Sequence, residues 1–219
     1  MERAPMRLAS VNVAFPREIA YRGRRVWTGI YKEPVGGRVR ARFLNLEGDR
    51  QADLRVHGGR DKAVYAYDLE NSRFWAERLG GEIPPGQFGE NLTVEGMKED
   101  DVRIGDRYRV GTAVVEVSEP RSPCFKLGVK MGSPAFLKPF LESGRTGFYL
   151  RVIEEGELGA GDPIETVSRD PAGVTVLDAT RLLFSTDMDV AIATRALEIA
   201  TLSSGLRRAI SERLARATS

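Results

Sequence analysis

One cysteine, Cys124, and one histidine, His57, are all that this 219-residue chain has of two of the commonest metal-ligating side chains. A lone cysteine allows no internal disulfide, and an iron–sulfur cluster held by this chain alone is excluded because it needs about four thiolates. A single histidine leaves too few of the usual ligands for an all-protein zinc site. There is no run of about 18 apolar residues, so no transmembrane helix is expected. Residues 1–7 lack an apolar signal region, which predicts a cytoplasmic protein. Neither a G-x-G-x-x-G nor a Walker motif occurs, so no dinucleotide site for accepting hydride is evident.

The composition that is present, 42% hydrophobic and 29% charged, is that of a soluble globular protein. The net charge of +2 hides an uneven distribution: residues 1–60 carry 13 Lys plus Arg against 6 Asp plus Glu, and residues 61–120 carry 7 against 13. Arg17, Arg22, Arg24, Arg25, Lys32, Arg38, Arg40 and Arg42 either line an anion site or form the solvated faces of strands. The lack of a recognition helix or an RNP-type aromatic motif argues against nucleic acid.

Short β-like runs punctuated by glycine dominate the first 170 residues. In 38–44, Arg38, Arg40 and Arg42 alternate with Val39, Ala41 and Phe43, the period of a half-buried strand. Asp68 is placed to cap a helix over 69–79, with Gly80-Gly81 to end it. Ser133-Pro134 opens a short helix that Pro139 should end or kink. After residue 170 the period becomes helical. Thr175 with Asp178 reads as a capping box for a helix through Phe184, Asp187 as the cap of a second, and Ser203 or Ser204 as the cap of a third with a Leu206, Ile210, Leu214 stripe. The expected architecture is mainly β, a barrel with a few short helices over 1–170, then a three-helix unit over 171–219. The latter is too small to be secure alone, so it should dock on the barrel or on another subunit.

Three segments carry candidate chemistry. His57-Gly58-Gly59, followed by Lys62, can form either an anion-binding backbone nest or a plain turn between strands. In Gly89-Glu90-Asn91-Leu92, a carboxylate beside a carboxamide can read a heterocycle edge, or Asn91 can simply make a turn. In 116–128 an apolar strand runs into Pro120-Arg121-Ser122-Pro123-Cys124-Phe125-Lys126, where the prolines predict a stiffened loop. Arg121 and Lys126 flank Cys124 and would favour its thiolate, whereas the alternative is a small buried hydrophobe.

Taken in that order and at those intervals, the three segments resemble the MOSC family, named for the C-terminal domain of molybdenum-cofactor sulfurase. The resemblance is closest to the stand-alone bacterial hydroxylaminopurine-resistance branch, in which a MOSC β-barrel precedes a small 3-alpha domain. It implies a molybdopterin-type cofactor with Cys124 as the molybdenum ligand and catalytic thiolate, and Arg121 and Lys126 balancing negative charge. By motif match, His57, Gly58, Gly59 and Lys62 would line the same pocket, Asn91 would contact pterin or substrate, Thr28 and Lys32 would be anion contacts, and Phe125 would give an apolar floor. The implied reaction is reduction of small N-hydroxylated substrates, such as hydroxylaminopurine-type bases, to amines. Electrons must then come from a separate flavin or iron–sulfur protein. The alternatives are a sulfur or cofactor carrier using Cys124, or a non-catalytic anion- or partner-binding module. The helical tail makes a homodimer plausible.

Overall fold

The computed structural model describes residues 5–53 and 58–218. Among the described residues twelve strands and six α-helices follow one another, beginning with β1 (Arg7–Val13), the hairpin of β2 (Arg17–Tyr21) and β3 (Arg24–Thr28), β4 (Glu33–Pro34) and β5 (Arg38–Ala41). Next come β6 (Val64–Asp68), α1 (Leu69–Leu79), β7 (Leu92–Glu95), β8 (Arg107–Val110), β9 (Ala113–Pro120), α2 (Phe125–Lys130) and α3 (Leu137–Glu142). The chain ends with β10 (Phe148–Glu154), β11 (Gly156–Gly159), β12 (Ile164–Ser168), α4 (Val176–Phe184), α5 (Val190–Glu198) and α6 (Ser204–Ala217).

Eight strands form one mixed sheet in the order β12-β8-β9-β10-β6-β7-β1-β4, in which only β6 and β7 run parallel. Its two ends meet. Leu8 N–H donates to the Asp162 carbonyl (2.9 Å), Gly161 N–H to that of Leu8 (2.7 Å) and Ile164 N–H to that of Met6 (3.0 Å), so the entry to β12 hydrogen-bonds along β1 and closes the sheet into a barrel. Closure satisfies backbone groups that an open edge would expose. Leu8, Val94, Val115, Val117, Leu150 and Val152 fill its interior.

A second cluster, rich in aromatics, lies where β6 and α1 meet α2 and α3. It holds Tyr65, Tyr67, Trp75, Phe88, Phe136 and Phe140, with Phe88 4.4 Å from Tyr67 and 5.5 Å from Phe140 between ring centroids. Such pairs add about 0.5–1.5 kcal/mol each beyond area burial. This cluster forms the rigid bed beneath α2.

The C-terminal helices dock on the barrel: Leu182, Ala193, Leu206 and Ile210 belong to the same buried cluster as the barrel interior. The Thr175–Asp178 capping box is present, and Ser203 caps α6. The cap of α5 is Asp189 rather than Asp187, through a 2.9 Å bond from Ile192 N–H.

Three local expectations are corrected. The 38–44 run stops at Ala41, because Arg42 N–H bonds to the Asn45 carbonyl and Glu47 N–H to that of Arg40, turning the chain and leaving Phe43 and Leu44 exposed. Pro139 lies inside α3, within the first turn, where its missing N–H removes no intrahelical bond. The segment after Cys124 is not loop: α2 starts at Phe125, with Leu127 N–H bonded to the Cys124 carbonyl at 2.9 Å.

Candidate functional site

At its C-terminal end β9 delivers the chain to residues 121–124, and Cys124 occupies the N-cap position of α2 in extended conformation, half-buried. Thr28, Lys32, Lys62, Asn91, Arg121, Cys124 and Lys126 all line one pocket of about 90 Å³. Gly58 and Gly59 are not among its lining residues; Gly59, at φ 89°, opens the short 3-10 turn Arg60–Lys62 that carries Lys62 to the rim. His57 lies outside the described residues.

Arg121 is the most informative of these. Its side chain is almost wholly buried, and its Nη1 has no hydrogen-bond partner among the described residues. The guanidinium lies over the Tyr65 ring at 4.9 Å and nearer the edge of contact with Phe140 at 5.7 Å. Ring faces attract a cation but cannot accept all its N–H bonds. A guanidinium keeps its charge at any ordinary pH, so the pocket contains a desolvated, under-satisfied cation beside a thiol.

Lys32 reaches the same pocket from the segment after β3. Its ammonium is ion-paired and hydrogen-bonded to the buried carboxylate of Asp49. Burial lowers the Lys32 pKa, and Asp49 opposes that shift. Asp49 Oδ2 accepts from Asn91 Nδ2 (3.0 Å), and Asn91 Oδ1 accepts from Tyr65 N–H (3.1 Å). The Asn91 carboxamide is thus committed to positioning Asp49 and β6. Glu90 is turned inward as well, accepting from Gly86 N–H (2.6 Å), Phe88 N–H (3.0 Å) and the Thr93 hydroxyl (3.1 Å).

Lys126, on the first turn of α2, is buried, and no carboxylate lies within ion-pairing distance among the described residues. Lys62 pairs with Glu119 at 3.6 Å. Burial raises the Glu119 pKa, with Lys62 pulling it back. Thr28 is buried, its hydroxyl accepting from Ile30 N–H at 3.2 Å. Phe125 does not floor the pocket. It stacks on Tyr21 of the β2–β3 hairpin at 4.4 Å, fixing α2 from outside, and Ile30, Tyr65 and Tyr149 supply the apolar lining.

The remaining basic residues divide. Arg38 pairs with Asp162 (3.0 Å), and Arg40 and Arg42 with Glu155 (3.9 and 3.6 Å), so these are a solvated strand face; only Lys32 of the eight lines the pocket. Sequence reading missed Asp49, Tyr65 and Tyr149. The one available signal was Asp49 in the polar 48–53 stretch. Among the described residues no group of three or more His, Cys, Asp or Glu side chains is placed to hold a metal ion.

The barrel thus presents one thiol to a pocket lined by Lys32, Lys62, Arg121 and Lys126. The MOSC domain matches residues 53–165, and the chain belongs to that family. Within it the chain is of the YiiM type: it is similar to the crystal structure of YiiM from Geobacillus stearothermophilus, with a TM-score of 0.81 and 34% identity over 96% of this chain and 100% of that one. It is 41% identical to the uncharacterized protein YflK of Bacillus subtilis over 94% of each chain. It is also 35% identical to a protein of Gibberella moniliformis named "Reductase", over 74% of this chain but only 29% of that protein. No described helix is long and apolar enough to cross a membrane.

Proposed function

We propose that this pocket binds a molybdopterin-type molybdenum cofactor through Cys124 and that the protein is the terminal component of a system reducing N-hydroxylated compounds to amines. The observation that carries this reading is the buried Arg121 with its orphaned Nη1 beside the thiol. Apolar packing gains nothing from such a group, whereas an anionic cofactor gains a preset donor and a countercharge. The residues present fit the group: Cys124 supplies the sulfur, and Arg121, Lys32 and Lys126 the positive field.

The chemistry supplied with the cofactor is oxygen-atom transfer coupled to a two-electron redox change. The net reaction is R–NHOH + 2 H⁺ + 2 e⁻ → R–NH₂ + H₂O. This chain's own residues would hold the cofactor and exclude water with the Tyr65 cluster, and the Glu119–Lys62 pair (3.6 Å) would hold a proton at the rim. Electrons come from a separate flavin or iron–sulfur protein.

The test is metal and pterin analysis of protein made in a host that synthesises the cofactor. Molybdenum and pterin should co-purify with the wild type and be lost from Cys124→Ala. A Cys124 persulfide with no molybdenum would replace this reading with sulfur carriage.

A further inference from the structure

The β2–β3 hairpin stands apart from the barrel sheet as a two-stranded ribbon of its own. Such a ribbon is marginal in water unless one face is packed, and its pairing assigns the faces. Ile19 pairs with Val26 and Tyr21 with Arg24, so these side chains share one face, while Glu18 with Trp27 and Ala20 with Arg25 share the other. The first face is turned inward: Tyr21 stacks on Phe125 at 4.4 Å, and Arg17 lies 3.4 Å over the Tyr31 ring. All four residues of the second face are exposed, Trp27 at 56%.

This outer face adjoins the mouth of the Cys124 pocket. Trp27 precedes Thr28, a lining residue, and Tyr21 rests on the residue that follows Cys124. Phe15, 69% exposed, follows Ala14, whose N–H donates to Asp49 Oδ1 (2.9 Å) and whose carbonyl accepts from Arg50 N–H (3.0 Å). Asp49 and Arg50 also line the pocket. Residues 14–28 carry four Arg against one Glu, and none of those arginines lines the pocket, so their charge faces solvent beside it. Exposed aromatics set among arginines have the composition of a protein interface. A second copy is the wrong occupant, because a two-fold contact sets a patch against itself and would oppose arginine to arginine. An acidic surface is complementary.

We propose that this rim, anchored by Trp27, is the docking surface for an acidic electron-carrier protein. It rests on the reductase reading and names where the electrons enter. For each R–NHOH and 2 H⁺ converted to R–NH₂ and H₂O, the reduced carrier gives up two electrons and leaves oxidised, and solvent supplies the protons. A hairpin and its neighbouring loops suffice, since electron-transfer encounters bury less than about 1,200 Å² in total. The carrier would dock and leave at the rim while the pocket behind Thr28 stays filled.

The experiment compares the full chain from a host that synthesises the cofactor with Trp27→Ala and with the double variant Arg24→Glu, Arg25→Glu. The probe carrier is a plant-type ferredoxin of strongly negative net charge, the oxidant is hydroxylaminopurine, and reduced methyl viologen serves as a chemical donor that needs no docking. KM for the ferredoxin should rise by about tenfold or more in each variant, the scale of a lost interface anchor or a reversed charge pair. For the double variant the difference should shrink between about 0.02 and 0.5 M salt, as screening removes the attraction it lost. Calorimetric binding of the ferredoxin to cofactor-free chain should weaken in the same variants, a readout independent of turnover. Turnover with methyl viologen and molybdenum content should match wild type. Unchanged ferredoxin binding and KM in both variants would overturn the proposal. So would a wild-type dimer that Trp27→Ala dissolves, or single-stranded DNA binding tighter than the ferredoxin at equal salt, since the face would then serve a second copy or a nucleic acid. Wild type that binds the ferredoxin through Trp27 yet turns over with neither donor would instead sink the reductase reading and keep the docking surface.

Discussion

Replacing Arg121 with methionine separates fold from function. In the folded chain the orphaned Nη1 costs about 1–3 kcal/mol of unrecovered desolvation. The Tyr65 and Phe140 faces, at 4.9 and 5.7 Å, return roughly 0.5–2 kcal/mol. Methionine occupies a similar volume, has no donor to satisfy and keeps a favourable sulfur–ring contact. The difference lies between neutrality and a gain of about 1–2 kcal/mol, which for a chain of this size is a rise in Tm of up to about 4–8 °C. The same variant should lose its molybdenum and pterin. Thermal unfolding of cofactor-free wild type and Arg121→Met gives the first quantity, and metal and pterin analysis of both proteins from a competent host the second. A fall in Tm of more than about 5 °C with cofactor retained would refute the reasoning, because it would make the guanidinium part of the fold's support rather than of the site.

Three further outcomes follow from buried groups. Burial raises the Glu99 pKa to about 7, against hydrogen bonds from Asn71 and Gly147 that favour its charge. Its stabilising contribution, on the order of 3 kcal/mol, is fully present below its unfolded value of 4.5 and is lost as pH rises through about 7. Glu99→Gln should flatten urea stability between those limits, and an unaltered slope would contradict the assignment. Burial lowers Lys130 to about 8 although its ammonium bonds the carbonyls of Ile30 (3.0 Å) and Gly86 (2.6 Å). Here the folded chain releases its proton first, so this group makes stability rise from pH 8 to 10.5. That rise should vanish in Lys130→Met. Gly147 holds φ +71°, and a Cβ there would lie 2.4 Å from the Ala66 carbonyl oxygen. Gly147→Ala should therefore cost about 2–4 kcal/mol in urea unfolding by forcing β6 and β10 apart, and a cost under about 1 kcal/mol would show that the strands can yield.

Signals confined to a few consecutive residues were legible in the sequence. The Asp68 cap, the Thr175–Asp178 box and the Ser203 cap depend on hydrogen bonds within three residues, and the structure shows each where the residue types point. The start of α2 was hidden, because its N-cap is Cys124, a residue with no capping signature, and the helix is six residues long. The end of β5 was hidden too, since the alternation runs on through Phe43 while turn bonds at 42–47 reverse the chain.

The pocket shows the same boundary. Cys124, Arg121 and Lys126 are chain neighbours and could be read together. Asp49 meets Lys32 and Asn91 across 17 and 42 residues, a juxtaposition that only barrel closure creates. The basic first quarter had two readings, and nonlocal carboxylates decide between them. Arg38, Arg40 and Arg42 found partners around β11, while Lys32 was drawn inward to Asp49.

The central claim is a bond between one sulfur and a metal, and X-ray absorption at the molybdenum edge of loaded protein reads that bond directly. Wild type and Arg121→Lys, each carrying whatever metal it retains, should show the same sulfur shell. Cys124→Ser should show one sulfur scatterer fewer and a new light-atom contribution in its place. A sulfur shell in Cys124→Ser identical to that of the wild type would contradict the account.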